Sequence, residues 1–155
     1  IPLRLVGSEM CIRDRLYLYL HEKSIPEDSE QLRNAWENII NDVNHHLIVC
    51  EIDGKVVASC VCVIIPNLTR NVRPYAFVEN VVTHGEYREK GYATDCLNFA
   101  KKIAEENHCY KIMLLTGSKE EGTLNSIEMP VITVLTRLHL YSGLICKIRS
   151  KIMKK

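Results

Sequence analysis

The amino-acid sequence predicts a single α/β domain of the α+β type, built on a mixed β-sheet. Asp53-Gly54 separates two apolar runs, residues 46–52 and 55–65, and favours a hairpin because a type I′ turn needs positive φ at both central positions. Residues 75–115 then have the pattern of strand, turn, helix and strand, a β-α-β crossover that places two neighbouring strands in parallel. A chain of 155 residues has room for one such core and not for two.

Two helices are predicted before the hairpin. Residues 16–22 predict a short apolar helix, which ends before Pro26. Residues 29–44 predict a second helix, because apolar side chains recur there at three- and four-residue steps. Asp28 or Ser29 is expected to cap it, and its single tryptophan is expected in the core.

The crossover supplies the remaining elements. Residues 75–83 predict a third strand, and residues 111–115 predict a short apolar strand in the interior of the sheet. Between them, residues 94–107 predict an amphipathic helix. Its inward face is expected to hold Cys96, Leu97, Ala100, Ile103 and Ala104.

Composition excludes several classes of protein. Apolar residues are 46% and charged residues 25%, so wholesale disorder is excluded. The net charge of +1 gives no electrostatic case for nucleic acid or a membrane as a partner. The seven cysteines include no C-x-x-C pair, and His45-His46 point to opposite faces of a strand, so no metal site is expected. With no apolar run of spanning length and no signal peptide, a cytoplasmic location is expected.

The most informative segment is residues 79–94, ENVVTHGEYREKGYAT, where a strand ends and a helix begins. Arg88 to Ala93 has the form R-x-x-G-x-A. Unpaired N–H groups at a helix start, together with a glycine that permits close approach, suit a diphosphate. Neither a Walker loop nor a dinucleotide fingerprint is present. The simpler alternative is a glycine-containing helix start with a solvated basic loop.

With these elements the chain resembles the GNAT superfamily of acyl-CoA-dependent N-acetyltransferases, over about residues 16–125. The specific match is residues 79–106, ENVVTHGEYREKGYATDCLNFAKKIAEE. The resemblance implies a mostly antiparallel sheet with a central, splayed parallel strand pair, flanking helices and a β-bulge near Asn80. It implies acetyl-CoA as cosubstrate, held by Val81, Val82, Thr83, Arg88, Glu89, Lys90, Gly91, Tyr92, Ala93, Thr94 and Asn125.

The resemblance also implies direct transfer of an acetyl group to a primary amine, with a small-molecule acceptor; a homodimer is left open. Glu79 is the candidate general base, and the backbone N–H of Val82 is the candidate donor to the thioester carbonyl. The alternative for Glu79 is an exposed carboxylate, or one paired with Arg73. Tyr19 is expected either in the core or in the wall of the acceptor pocket, and His84 is a loop histidine within reach of phosphate.

The chain departs from the family pattern after Asn125. The family motif F-Y-x-x-x-G-[YF] is missing, and Ile127 stands at the position of its tyrosine, which commonly protonates the thiolate. Restoring one T after the codon of Asn125 permits F-Y-R-N-A-G-Y, so we hypothesise that residues 126–155 are translated out of frame. A codon AGT or AGC for Ser126 would contradict this. Loss of the tyrosine also supports a second hypothesis, a non-catalytic acyl-CoA-binding domain.

The first fifteen residues fit the family pattern equally poorly. Residues 6–15, VGSEMCIRDR, resemble translated sequencing adapter, where the family has a strand. The single domain over residues 1–155 is therefore expected to have its authentic core at about 16–125.

Overall fold

A computed structural model describes residues 16–20, 24, 27, 29–116 and 132–136. Its centre is a five-stranded sheet with the strands in sequence order. The strands are β1 (His45–Ile52), β2 (Lys55–Ile65), β3 (Tyr75–Thr83), β4 (Ile112–Thr116) and β5 (Ile132–Thr136). The helices are α1 (Glu30–Asn41) and α2 (Tyr92–Glu106), with 3₁₀ turns at Tyr17–Leu20 and Gly85–Tyr87.

The sheet confirms the predicted mixed architecture. β1 and β2 pair antiparallel through the predicted hairpin, in which Asp53 and Gly54 have φ of 51° and 75°. β2 and β3 are also antiparallel, and β3 and β4 form the predicted central parallel pair. β5 then extends the sheet in parallel beside β4, using residues from the segment hypothesised to be translated out of frame.

Helix α1 begins as predicted but is less buried than predicted. The Ser29 hydroxyl caps it by accepting a hydrogen bond from the N–H of Leu32 at 3.2 Å. Within α1 no residue is fully buried, and Trp36 is only half-buried and belongs to neither core cluster. The expectation that this tryptophan lies in the core is therefore wrong, because α1 covers the sheet only partially.

Helix α2 packs on one face of the sheet and encloses the main core. Its buried residues are the five that the sequence predicted, Cys96, Leu97, Ala100, Ile103 and Ala104. They pack against strand residues such as Cys60, Val78 and Leu114. A smaller cluster on the opposite face joins Leu16 to Val56 and Val82. The 3₁₀ turn Tyr17–Leu20 thus covers the side of β3 that α2 does not.

Two classes of feature are absent from the described part of the chain. No group of three histidine, cysteine or acidic side chains there is arranged to hold a metal ion. None of the described helices has the length and apolar character needed to cross a membrane.

Candidate active site

β3 and β4 separate partway along their length. They pair only where Ala76, Phe77 and Val78 face residues 112–114. β3 continues to Thr83 and β4 to Thr116 without further pairing between them in the described residues. The main chain of β3 beyond Val78 is therefore an open strand edge, to which an extended ligand could add as a strand does.

A β-bulge marks the point of separation. Val61 of β2 faces Glu79, whereas Ser59 faces Val82, so one residue of β2 is opposite both Asn80 and Val81. Asn80 has φ of 53°, a left-handed conformation that asparagine tolerates better than most residues. This is the bulge near Asn80 that the family resemblance implies.

The bulge brings Glu79 and Val82 to the same face of the sheet. Their partners Val61 and Ser59 are two residues apart on β2 and so share a face. That face carries the small cluster around Leu16 and lies opposite α2. Glu79 is half-buried there, so its side chain is partly shielded and partly accessible to solvent.

The same register corrects the role expected for the Val82 amide. The N–H of His84 donates to the carbonyl of Val57 at 2.8 Å. Because hydrogen-bonded pairs alternate along an antiparallel ladder, the next such pair is Ser59 with Val82. The N–H of Val82 therefore points to β2, and the N–H of Thr83 points to the open edge instead.

A short loop connects this edge to helix α2. After the 3₁₀ turn Gly85–Tyr87, Arg88 is extended, and Glu89 and Gly91 both have positive φ, 62° and 86°. Gly91 is the residue before α2, and a left-handed conformation at that position favours glycine. A Cβ placed on Gly91 would meet no atom within 4 Å, so the backbone there is open to an approaching group.

The start of α2 has free capacity for an anion. The N–H of Asp95 bonds the carbonyl of Gly91 at 3.0 Å, so the amides of residues 92–94 precede the first intrahelical bond. No side chain of residue 91 caps them, since it is a glycine. These amides and the positive end of the helix dipole make a surface that could bind an anion. We call this helix start, together with the loop residues before it, the cradle (residues 88–94).

Basic and aromatic side chains surround the cradle. The rings of Tyr19, His84, Tyr87 and Tyr92 form a row in which neighbouring centroids are 5.1, 5.6 and 6.3 Å apart. Arg88 lies 5.6 Å from the centre of the Tyr19 ring, and Lys90 Nζ lies 4.9 Å from that of Tyr87. Both cations are therefore held close to the cradle by ring faces.

The family is decided by a comparison with protein-family models. The model of the acetyltransferase (GNAT) family matches residues 13–128, most of the chain and all of the site just described. The chain belongs to the GNAT family of acetyltransferases. Members of this family transfer acyl groups, generally from acyl-CoA.

Solved structures agree with this assignment. A putative acetyltransferase from Agrobacterium tumefaciens is 28% identical, with a TM-score of 0.73 over 95% of this chain and 99% of that one. Glucosamine-6-phosphate N-acetyltransferase from Arabidopsis thaliana is 18% identical, with a TM-score of 0.70 over 95% of each chain. Ribosomal-protein-alanine N-acetyltransferase from Brucella melitensis is 16% identical, with a TM-score of 0.59 over 88% and 89%. The latter two support the fold alone.

The structure brings together most of the residues predicted for this GNAT site. Glu79 and Val81 to Thr83 lie on the open part of β3, and Arg88 to Thr94 form the cradle. Asn125 and Ile127 lie outside the described residues. The alternative partner for Glu79 is engaged elsewhere, because Arg73 donates to the carbonyls of His108 and Cys109 at 3.0 and 3.1 Å.

The sequence did not reveal the aromatic row. Tyr87 and Tyr92 stand on either side of the R-x-x-G segment, and that spacing could have drawn attention to them. Tyr19 is neither core nor buried, being 39% exposed, and it contacts the loop next to the cradle. It is 65 residues from His84, so no local pattern could predict the contact.

Proposed function

We propose that this chain is an N-acetyltransferase that moves an acetyl group from acetyl-CoA directly to a primary amine. One observation carries the proposal: the open edge of β3 is followed, after a short loop, by a helix that begins directly after Gly91 with unpaired backbone amides. An extended arm and a diphosphate are the two parts of CoA that such a continuous surface suits. The match to the GNAT family supports the use of an acyl-CoA.

Each part of CoA has a proposed partner among the residues of the site. The amides of residues 92–94 would bind the diphosphate, and Arg88 and Lys90 would add positive charge at its rim. The main-chain edge from Asn80 to Thr83 would pair with the pantetheine arm. When bound, acetyl-CoA supplies an activated thioester, and these contacts would place it at the bulge beside Glu79.

Glu79 would act as general base. Its half-buried carboxylate would take a proton from the acceptor amine, directly or through water, so that the nitrogen can attack the thioester carbonyl. A main-chain N–H on the open edge, where that of Thr83 points, would stabilise charge on the carbonyl oxygen. As the C–N bond forms and the C–S bond breaks, the thiolate requires a proton, which the missing family tyrosine would commonly supply.

The acceptor is proposed to be a small-molecule amine. Two structural neighbours, a glucosamine-6-phosphate N-acetyltransferase and a ribosomal-protein-alanine N-acetyltransferase, are named for a small and a large amine, so the fold itself is compatible with either. A balanced charge of +1 favours neither nucleic acid nor a membrane surface as acceptor. A cytoplasmic location goes with the proposed use of acetyl-CoA and with free thiols at the five described cysteines.

A second candidate is a domain that binds acyl-CoA without catalysis. Ile127 at the position of the family tyrosine favours it, since a general acid typically contributes about 10²- to 10⁴-fold to the rate. The two candidates share the cradle and the open edge and differ only in turnover.

Two measurements on the full chain separate these candidates. Calorimetric titration with CoA tests binding, and release of free CoA thiol from acetyl-CoA across a panel of amino sugars, polyamines and amino-acid amides tests turnover. We expect both binding and turnover. Binding with no turnover would favour the second candidate, and no binding would contradict both.

The role of the lost tyrosine is tested by restoring one T after the codon of Asn125 in the gene. We expect turnover to rise by up to about 10²- to 10⁴-fold because the thiolate gains a proton donor. CoA affinity should change little, because the cradle is unaltered. Equal turnover by the two chains would show that the tyrosine is not required.

A further inference from the structure

A contact between two distant segments adjoins the cradle. Tyr19, in the 3₁₀ turn Tyr17–Leu20, packs its ring edge-on against His84, with the ring planes 61° apart. The Tyr19 hydroxyl lies 3.5 Å from Nε2 of His84. His84, which follows the last residue of β3 and leads into the loop, is therefore in contact with the turn that precedes α1.

His84 is held by hydrogen bonds to two neighbouring segments. Its backbone N–H donates to the carbonyl of Val57 at 2.8 Å, and its ring Nδ1 accepts from the N–H of Glu86 at 3.3 Å. The other ring nitrogen, Nε2, faces the Tyr19 hydroxyl. The ring thus links the end of β3, the 3₁₀ turn of the loop, and Tyr19.

The position of the Tyr19 ring also accounts for a glycine at residue 85. Its φ is not in the left-handed region, so its backbone does not require glycine. A Cβ at this position would lie 3.2 Å from Cε1 of Tyr19, closer than ordinary van der Waals contact. The absent side chain therefore makes room for the ring.

Tyr19 also contacts the cation at the rim of the cradle. The Arg88 guanidinium lies 5.6 Å from the ring centre, within the range of a cation–π interaction. Arg88 is exposed, so without this ring its side chain would sample many more rotamers.

We propose that Tyr19 positions the cradle: its ring fixes the first turn of the loop and holds the Arg88 side chain at the rim. This inference rests on the proposed function, since the ligand it concerns is the diphosphate of CoA. Tyr19 itself touches no reacting atom. It acts on affinity for the diphosphate end of the ligand and not on the acetyl end.

Calorimetry on the full chain with two probes tests this. CoA carries the diphosphate, and pantetheine carries the same thiol arm without it. We expect Tyr19→Leu to weaken CoA binding about fivefold and Tyr19→Phe, which keeps the ring, to weaken it no more than about twofold. Pantetheine binding should be equal in all three proteins.

Tyr110→Leu is the matched control. Tyr110 also has cations near its ring, with Arg70 at 6.0 Å and Lys111 at 5.4 Å, but it follows α2 and lies away from the cradle. This variant should bind CoA as the wild type does. Equal losses for CoA and pantetheine in Tyr19→Leu would indicate a general structural role and overturn the proposal, as would unchanged CoA binding.

A double-mutant cycle with Gly85→Ala tests the packing independently. In the wild-type background the added methyl group should displace the ring, lowering the unfolding temperature and weakening CoA binding. In the Tyr19→Ala background, Gly85→Ala should change neither the unfolding temperature nor CoA affinity. Equal losses of both quantities in the two backgrounds would contradict the inference. A wild-type chain that binds no CoA would instead contradict the proposed function itself.

Discussion

The two halves of β3 belong to one continuous strand but lie in different environments. In the first half, Tyr75 to Val78, which we call the closed half, Ala76 to Val78 are paired on both edges, and Ala76 and Val78 are completely buried under α2. In the second half, Glu79 to Thr83, which we call the open half, β2 is the only neighbour among the described residues, and the strand contains a bulge. One strand thus anchors the fold at one end and presents its backbone at the other.

The largest effect is expected at the residue where the halves meet. Glu79→Gln keeps the shape of the side chain but removes the base, so turnover should fall by about 10²- to 10⁴-fold with CoA affinity unchanged. Thiol release, measured in the chain as given and with the frame restored, checks this. Glu51→Gln, at an exposed position of β1, is the control and should leave the rate unchanged. An unaltered rate in Glu79→Gln would remove the carboxylate from the mechanism.

The packing of the closed half is tested by a substitution in β4, the strand that pairs with it in parallel. Leu114 faces Val78 across the parallel pair and is 1% exposed. Leu114→Ala should lower the free energy of unfolding by about 2–5 kcal/mol, because it leaves a cavity beneath α2. Thr83→Ala, in the open half, should cost less than about 1 kcal/mol. Urea denaturation measures both, and similar costs would mean that the halves do not differ in packing.

Gly91→Ala tests the open half at the cradle. At φ of 86° an alanine is strained by about 1 kcal/mol, and relief of that strain would turn the amides of the cradle away from the ligand. Both the unfolding free energy and CoA affinity should therefore fall. Gly54→Ala is a close control, since Gly54 also has positive φ and open space around it. Gly54→Ala should lower the free energy of unfolding and leave CoA affinity unchanged. If it weakened CoA binding as much as Gly91→Ala does, the role of the cradle would be contradicted.

The smallest expected effect is slower alkylation of Cys62, the residue of β2 that faces Val78 in the closed half. Burial raises the pKa of the Cys62 thiol to about 12, from an ordinary value of 9.0. Alkylation by iodoacetamide should therefore be slower at Cys62 than at half-buried Cys109, as peptide mass spectrometry would show. Because the unfolded thiol releases its proton first, this group should also lower stability between pH 9 and 12. Equal labelling rates would indicate that the core opens readily.

The sequence predicted the elements whose signals are local. Asp53-Gly54 specified the hairpin because few dipeptides accept positive φ twice, and the five inward residues of α2 followed from helical spacing. The bulge at Asn80 came from family resemblance, since nothing in the local sequence requires it. The burial of Trp36 and the contact of Tyr19 with the loop could not be predicted, because both depend on how distant segments pack. The direction of the Val82 amide required the strand register.

The composition of β2 has a consequence for how the chain reaches its native state. After Lys55 the strand has ten residues without a charge, VVASCVCVII, and seven of them in a row are buried. An uncharged segment rich in β-branched residues would associate with other copies if it stayed unpaired. The two-residue connection to β1 places a complementary strand beside it within about 1–10 μs, the time in which isolated hairpins form. Early closure of this hairpin therefore protects the nascent chain from aggregation before α2 covers the core.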